Sequence, residues 1–124
     1  MPDQLLPHDL LEFLARHIDS IAQLEALLIA RAAPDTVWDA QSASKRLYIG
    51  EQESSDALAH LAEHGLLIRE LAGYKFCPQS PELSRGVELL AEYYKRHLIP
   101  ITNLIHAKPR RIRQFADAFK LRKD

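Results

Sequence analysis

Between Ser20 and Pro78 the apolar residues change their spacing once, and that change restricts the folds open to the chain. Ile21, Leu24, Leu27, Leu28 and Ala32 recur at three- and four-residue intervals, with Ile29 widening the stripe, as in a core helix with a broad buried face. Ser20 followed by Gln23 is a capping-box pattern that starts this helix, and Pro34 ends it. Thr36 or Asp39 can cap the next one, in which Ala40, Ala43 and Leu47 share a face and Trp38 is a large anchor leading in. Tyr48-Ile49-Gly50 breaks it, with Gly50 expected to supply the turn. A third helix, about Gln52 to His64, turns Ala57, Leu58, Leu61 and Ala62 inward and meets Gly65 where a C-terminal cap prefers glycine. Leu66 to Glu70 and Tyr74 to Cys77 are short runs around Leu71-Ala72-Gly73, the pattern of a tight hairpin that leaves Arg69 and Lys75 near solvent.

Helix, helix, turn, helix and hairpin in that order is the winged helix-turn-helix layout, so residues 20–78 are expected to form its core. The fold class is mainly α with a small β-hairpin, extended by N- and C-terminal helices. Leu10, Leu14, His17 and Ile18, broadened by Leu11 and Phe13, mark a short amphipathic helix over 8–18. Leu83, Val87, Leu90, Tyr94, Leu98, Ile101 and Ile105 mark a long helix over 82–106, which Pro100 should kink or divide. Its apolar surface exceeds what a small winged core covers, which points to packing on the N-terminal helix or to a homodimer. The 124 residues suffice for one domain spanning 1–124 and are too few for two.

Charge is distributed unevenly. Residues 1–105 hold 9 basic and 15 acidic side chains, and residues 106–124 hold 7 basic and 2 acidic. In the tail, 110–124, Ile112, Phe115, Ala116 and Phe119 form an apolar stripe flanked by Arg110, Arg111, Arg113, Lys120, Arg122 and Lys123, a basic amphipathic pattern. Such a field can hold phosphate, an acidic protein surface or anionic lipid, but the phenylalanines ask to be buried. Packing within the chain or its dimer, or docking to a partner through Leu98, Ile101, Ile105, Ile112, Phe115 and Phe119, meets that need more simply than a membrane surface.

The helix that reads a groove in winged domains is here acidic. Glu51, Glu53, Asp56 and Glu63 lie in it, without a Lys or Arg between 51 and 64, whereas base reading favours Arg, Lys, Asn or Gln. Nucleic-acid contact would fall to Lys45, Arg46, Arg69, Lys75, Arg110, Arg111 and Arg113. Nor does the sequence point to catalysis. His60 and His64 are one helical turn apart, but Leu61 stands where a metalloprotease helix needs Glu, and no third ligand has local spacing. A solvated or capping role near Gly65 is expected for them, and hydrogen-bonded or interfacial roles for His17 and His97. Glu88, Glu92 and Lys95 read as a solvated face, lone Cys77 as a packed small hydrophobe, and the scattered glycines form no phosphate-cradling loop. The expectation is a protein that is not an enzyme, with no cofactor, metal or small-molecule ligand. No basic segment leads into an apolar run and nothing approaches a membrane span, so the expected location is the cytoplasm.

Arg16-His17-Ile18-Asp19-Ser20 with Gln23-Leu24-Glu25, Leu61 to Leu67, Pro81-Glu82-Leu83, and the closing run from Phe115 to Asp124 carry a resemblance over nearly all of the chain. It resembles a family of small bacterial winged-helix proteins, distantly MarR-like, that are labelled as transcriptional regulators or hypothetical proteins. The resemblance implies a winged-helix fold and a bacterial cytoplasmic setting, and it carries no catalytic or ligand residues. Fold and charge together give the expectation of a non-enzymatic adaptor in bacterial regulation, as a homodimer or with a protein partner. The alternative is a regulator that contacts DNA phosphates.

Overall fold

A computed structural model describes residues 6–107, a mainly helical fold with one small antiparallel hairpin. Helix α1, His8–His17, buries Leu10, Phe13 and Leu14, and carries Asp9 in its first turn and Arg16 and His17 in its last, as the helix dipole favours. Ser20 caps α2, Ile21–Ala32, its Oγ accepting from the Gln23 N–H at 3.1 Å. Gln23 Oε1 accepts from the Asp19 N–H at 2.7 Å, one residue before the donor used in a standard capping box. Leu24, Ala26, Leu27 and Ala30 are buried and Leu28 and Ile29 partly so, because α2 packs against the helices Ala40–Leu47, Glu51–Glu63 and Pro81–Tyr94 and against the hairpin.

Asp39, rather than Thr36, caps α3, Ala40–Leu47. It exchanges hydrogen bonds with Ser42, and the Ser42 N–H donated to its carboxylate holds that group below the usual carboxylate range. Gly50 does not supply the turn that follows. Tyr48 takes the left-handed conformation (φ 60), while Gly50 is extended (φ −68) and caps α4, Glu51–Glu63. The turn is fixed after Tyr48, where Ser44 Oγ donates to the Ile49 carbonyl at 2.5 Å and the Ser44 carbonyl accepts from the Ile49 N–H at 3.2 Å.

Strands β1, Leu67–Glu70, and β2, Gly73–Phe76, pair in the register Leu67 with Phe76 and Glu70 with Gly73, so Leu71-Ala72 alone is the loop. Trp38 adds a one-residue bridge to Tyr74, with reciprocal backbone hydrogen bonds of 2.7 and 2.8 Å. That approach requires glycine next door, since a Cβ on Gly73 would sit 2.3 Å from the Trp38 carbonyl oxygen.

Ser80 caps α5, Pro81–Tyr94, which crosses α1 with Gly86 against the ring of Phe13. The helical pattern of 82–106 is divided at 95–97, ahead of Pro100, and a sixth helix covers 98–107. In an unbroken helix the Pro100 ring would strike the Arg96 carbonyl; in the first turn of a new helix its missing N–H costs nothing. Ile101 and Ile105 are buried in the same core as Leu10, Ile18, Leu24, Leu27, Leu58, Leu61 and Leu90.

Candidate interaction surface

Helix α4 keeps one side for the core and one for solvent. Ser54, Ala57, Leu58 and Leu61 are buried, whereas Glu51, Gln52, Glu53, Ser55, Asp56 and Glu63 are exposed. Gln52 and Asp56 face outward one turn apart, joined by a 3.0 Å hydrogen bond from Gln52 Nε2. The outward face therefore presents carboxylates, amide and hydroxyl groups, without a cation on the helix.

Cations stand beside it. Lys45 and Arg46 are exposed in the last turn of α3, and Arg69 is exposed on β1, where its guanidinium donates to Tyr74 Oη at 2.7 Å and lies 5.3 Å from the centre of that ring. Lys75, one position further on β2, is half-buried. Between the α3 cations and α4 stands Tyr48, 93% exposed. It borders a groove of about 320 Å³ lined by Glu25, Leu28, Ile29, Arg46, Leu47 and Tyr94. Burial raises the Tyr94 hydroxyl above the usual phenol range, and Glu25, whose carboxylate accepts its hydrogen bond at 3.4 Å, raises it further. Sequence reading missed Tyr48 because only the backbone geometry reveals an exposed aromatic ring in a left-handed turn.

His60 and His64 are neither solvated nor simply capping. Their rings stack with centroids 4.2 Å apart, His64 Nδ1 lies 2.9 Å from His17 Nδ1, and His60 Nε2 lies 2.7 Å from the His17 carbonyl oxygen. Forty-three residues or more separate His17 from the other two, so no local spacing in the sequence could join them. His97 stacks on Tyr93 at 5.8 Å. The expected solvated face of α5 is exposed at Glu88, Glu92 and Lys95, and its two carboxylates are paired there: Glu88 accepts two hydrogen bonds from Arg31, at 2.6 and 2.8 Å, and Glu92 pairs with Arg96 at 3.2 Å. The Arg31 bonds hold the Glu88 carboxyl below its usual range and raise the guanidinium. Cys77 is exposed instead of packed, because it lies just past β2, its N–H bonded to the Leu66 carbonyl at 3.1 Å.

Of the residues expected at a partner or dimer contact, Leu98 is half-exposed, whereas Ile101 and Ile105 lie in this chain's own core and offer nothing to a partner. They are spent internally because the break at 95–97 turns the last helix back onto the core. Exposed apolar groups on that helix are Leu98, Ile99 and Leu104. Ile112, Phe115, Phe119, Arg110, Arg111 and Arg113 lie outside the described residues. Among the described residues no group of three or more His, Cys, Asp or Glu has the arrangement of a metal site, and no helix is long and apolar enough to cross a membrane. Comparison with family models, curated proteins and solved structures gave no match to this chain.

Proposed function

We propose that residues 20–78 are a winged helix-turn-helix used as a non-enzymatic protein-interaction module in bacterial regulation, acting as a homodimer or on a protein partner. The fold reading is supported by the order α2, bridging Trp38, α3, α4, β1 and β2, in which the one-residue bridge of Trp38 to Tyr74 stands beside the two-stranded hairpin. One observation carries the functional reading: the outward face of α4 exposes Glu51, Glu53, Asp56 and Glu63 with no Lys or Arg. Facing a polyphosphate, that surface repels; facing a basic protein surface, it steers and selects. Tyr48 beside Arg46 adds the aromatic and arginine pairing from which interface hot spots are often built. The tail, 110–124, with Phe115 and Phe119, offers a second docking element by its sequence pattern.

The test compares the full chain with an Asp56→Lys/Glu63→Lys variant whose unfolding midpoint is unchanged. Wild type should form a dimer or retain a partner that the variant loses, and neither should bind a random 24-base-pair duplex tightly at physiological salt. Tight, salt-sensitive duplex binding by the wild type, strengthened by the charge reversal, would turn the reading to a DNA-binding regulator using Lys45, Arg46, Arg69 and Lys75.

A further inference from the structure

Three histidine rings from two distant helices meet where α1 and α4 both end. His17 is the last residue of α1, and His60 and His64 lie in the last turn and at the cap of α4. The His17 and His64 rings meet edge to face, centroids 5.1 Å apart, and the Phe13 ring lies tilted against His17 with centroids 5.2 Å apart. We propose that these rings form a proton-operated latch that fastens the end of α1 to α4, and that charging both His17 and His64 loosens it.

The two polar contacts have different roles. At 2.9 Å the two Nδ1 atoms share one hydrogen bond, so one nitrogen carries the proton and the other offers its lone pair. The first proton added to the pair goes to the unprotonated Nε2 of the donor ring and keeps this bond; when both rings are charged both Nδ1 atoms are donors, and two N–H groups pointed at each other at this distance repel. This contact is therefore intact on the alkaline side and fails as pH falls through the range, about 5 to 8, in which imidazoles become charged. His60 is the fixed half. Its Nε2 donates to the His17 carbonyl, one of the last carbonyls of α1. Neutral and charged imidazole can both make that bond. Charging His60 and His64 together would also set two like charges in one 4.2 Å stack.

Access comes from a cleft of about 410 Å³ between α1 and the start of α5, lined by His17 with Asp9, Glu12, Arg16, Glu82 and Arg85. These charged groups face the latch from α1 and α5; Asp19 on the α1–α2 link and Glu63 on α4 adjoin it in sequence. Carboxylates and guanidinium groups keep their charge between about pH 5.5 and 7.5, so a change within that window reports on imidazoles. His8, paired with Glu12 at 3.7 Å at the other end of α1, is the neighbouring imidazole to control for.

The experiment is amide hydrogen exchange on the full chain from pH 7.5 to 5.5, corrected for the intrinsic pH dependence of exchange. Protection at Leu14–Ile18 should fall relative to Leu24–Ala30 as pH drops, by up to about tenfold per pH unit for each linked proton. His64→Gln, whose amide meets His17 Nδ1 without ionising, should flatten that dependence, and His8→Gln should leave it intact. His60→Ala should lower protection about equally at every pH. Parallel loss of protection in α1 and α2, or a wild-type dependence kept by His64→Gln, would overturn the latch. Nitrogen-15 spectra of wild-type histidines decide the matter should a variant fail to fold. One protonated and one bare Nδ1, the bare one gaining its proton together with the loss of α1 protection, support it; independent titrations with unchanged protection refute it.

Discussion

Gly86→Ala tests whether α1 and α5 meet as closely as the fold requires. An ideal Cβ at position 86 would lie 2.2 Å from Cδ1 and 2.7 Å from Cγ of Phe13, well inside van der Waals contact. Phe13 is buried and its ring abuts His17, so it cannot swing into solvent. Two effects then oppose each other. Alanine is the better helix former, a gain of about 0.5–1 kcal/mol over glycine in a helix interior. Overpacking a filled site costs about 1–3 kcal/mol, and so deep a clash belongs in the upper part of that range. The net expectation is a loss of about 1–2 kcal/mol, read as a lower urea midpoint with an unchanged slope. Phe13→Ala removes every ring atom that the new methyl would strike. In that background Gly86→Ala should turn neutral or stabilising, giving a coupling of about 1–2 kcal/mol in the double-mutant cycle. An alanine variant at least as stable as its parent, or the same loss in both backgrounds, would refute the packing argument.

Tyr48→Gly should raise stability by about 0.5–1 kcal/mol, since a left-handed L-residue costs about 1–2 kcal/mol and glycine gives part of this back in entropy. It should also weaken partner retention, and a lowered urea midpoint would show that the ring packs. For Arg31–Glu88, the Glu88 carboxyl is held low in the folded state, so its contribution is full above the ordinary carboxylate value of about 4.3 and is lost as pH falls through the lowered folded value. With Arg31 about a third exposed and Glu88 more so, that contribution stays under about 1 kcal/mol. The stability gap between wild type and Glu88→Gln should therefore close between pH 6 and pH 3, and a constant gap would contradict it. Phe115→Ser/Phe119→Ser should disrupt a dimer or partner complex; unchanged mass by light scattering together with unchanged partner recovery would remove the tail from the proposal.

What the sequence made legible was local. Ser20 with Gln23, Pro34, Asp39, Gly65 and Pro81 mark element ends through chemistry confined to a few residues, and the structure starts or stops helices beside each of them. Gly50 misled because its neighbours took the strain: two hydrogen bonds between Ser44 and Ile49, one donated by each residue, hold the turn while Tyr48 adopts the left-handed conformation. Trp38 shows the opposite limit. One residue of strand has no period to detect, and only pairing with Tyr74 defines it. The histidine latch was hidden for the same reason, since His17 meets its partners through tertiary packing of α1 on α4. Ile101 and Ile105 had the right spacing for an apolar face, yet spacing does not say whether the face is covered by this chain or by another.

The charge of α4 can be weighed against the surrounding cations in units that an experiment reads. At 1.5 Å per residue the 13 residues of α4 extend about 20 Å, against a duplex that carries one phosphate charge per ~1.7 Å of axis. Lys45, Arg46, Arg69 and Lys75 could each neutralise one phosphate, which sets the logarithmic salt slope no steeper than about −3.6. Four exposed carboxylates on the same surface make it shallower still. A measured slope near zero to −2 fits a surface built for another partner. A slope steeper than about −4 would require further cations in contact. The remaining concentration of them is Arg110, Arg111, Arg113 and their neighbours in the tail. Reversing those three arginines would then flatten the slope by about 2.7, whereas reversing Lys45 and Arg46 would remove about 1.8. The pair of measurements separates a helical core that reads DNA from one that leaves phosphate to its tail.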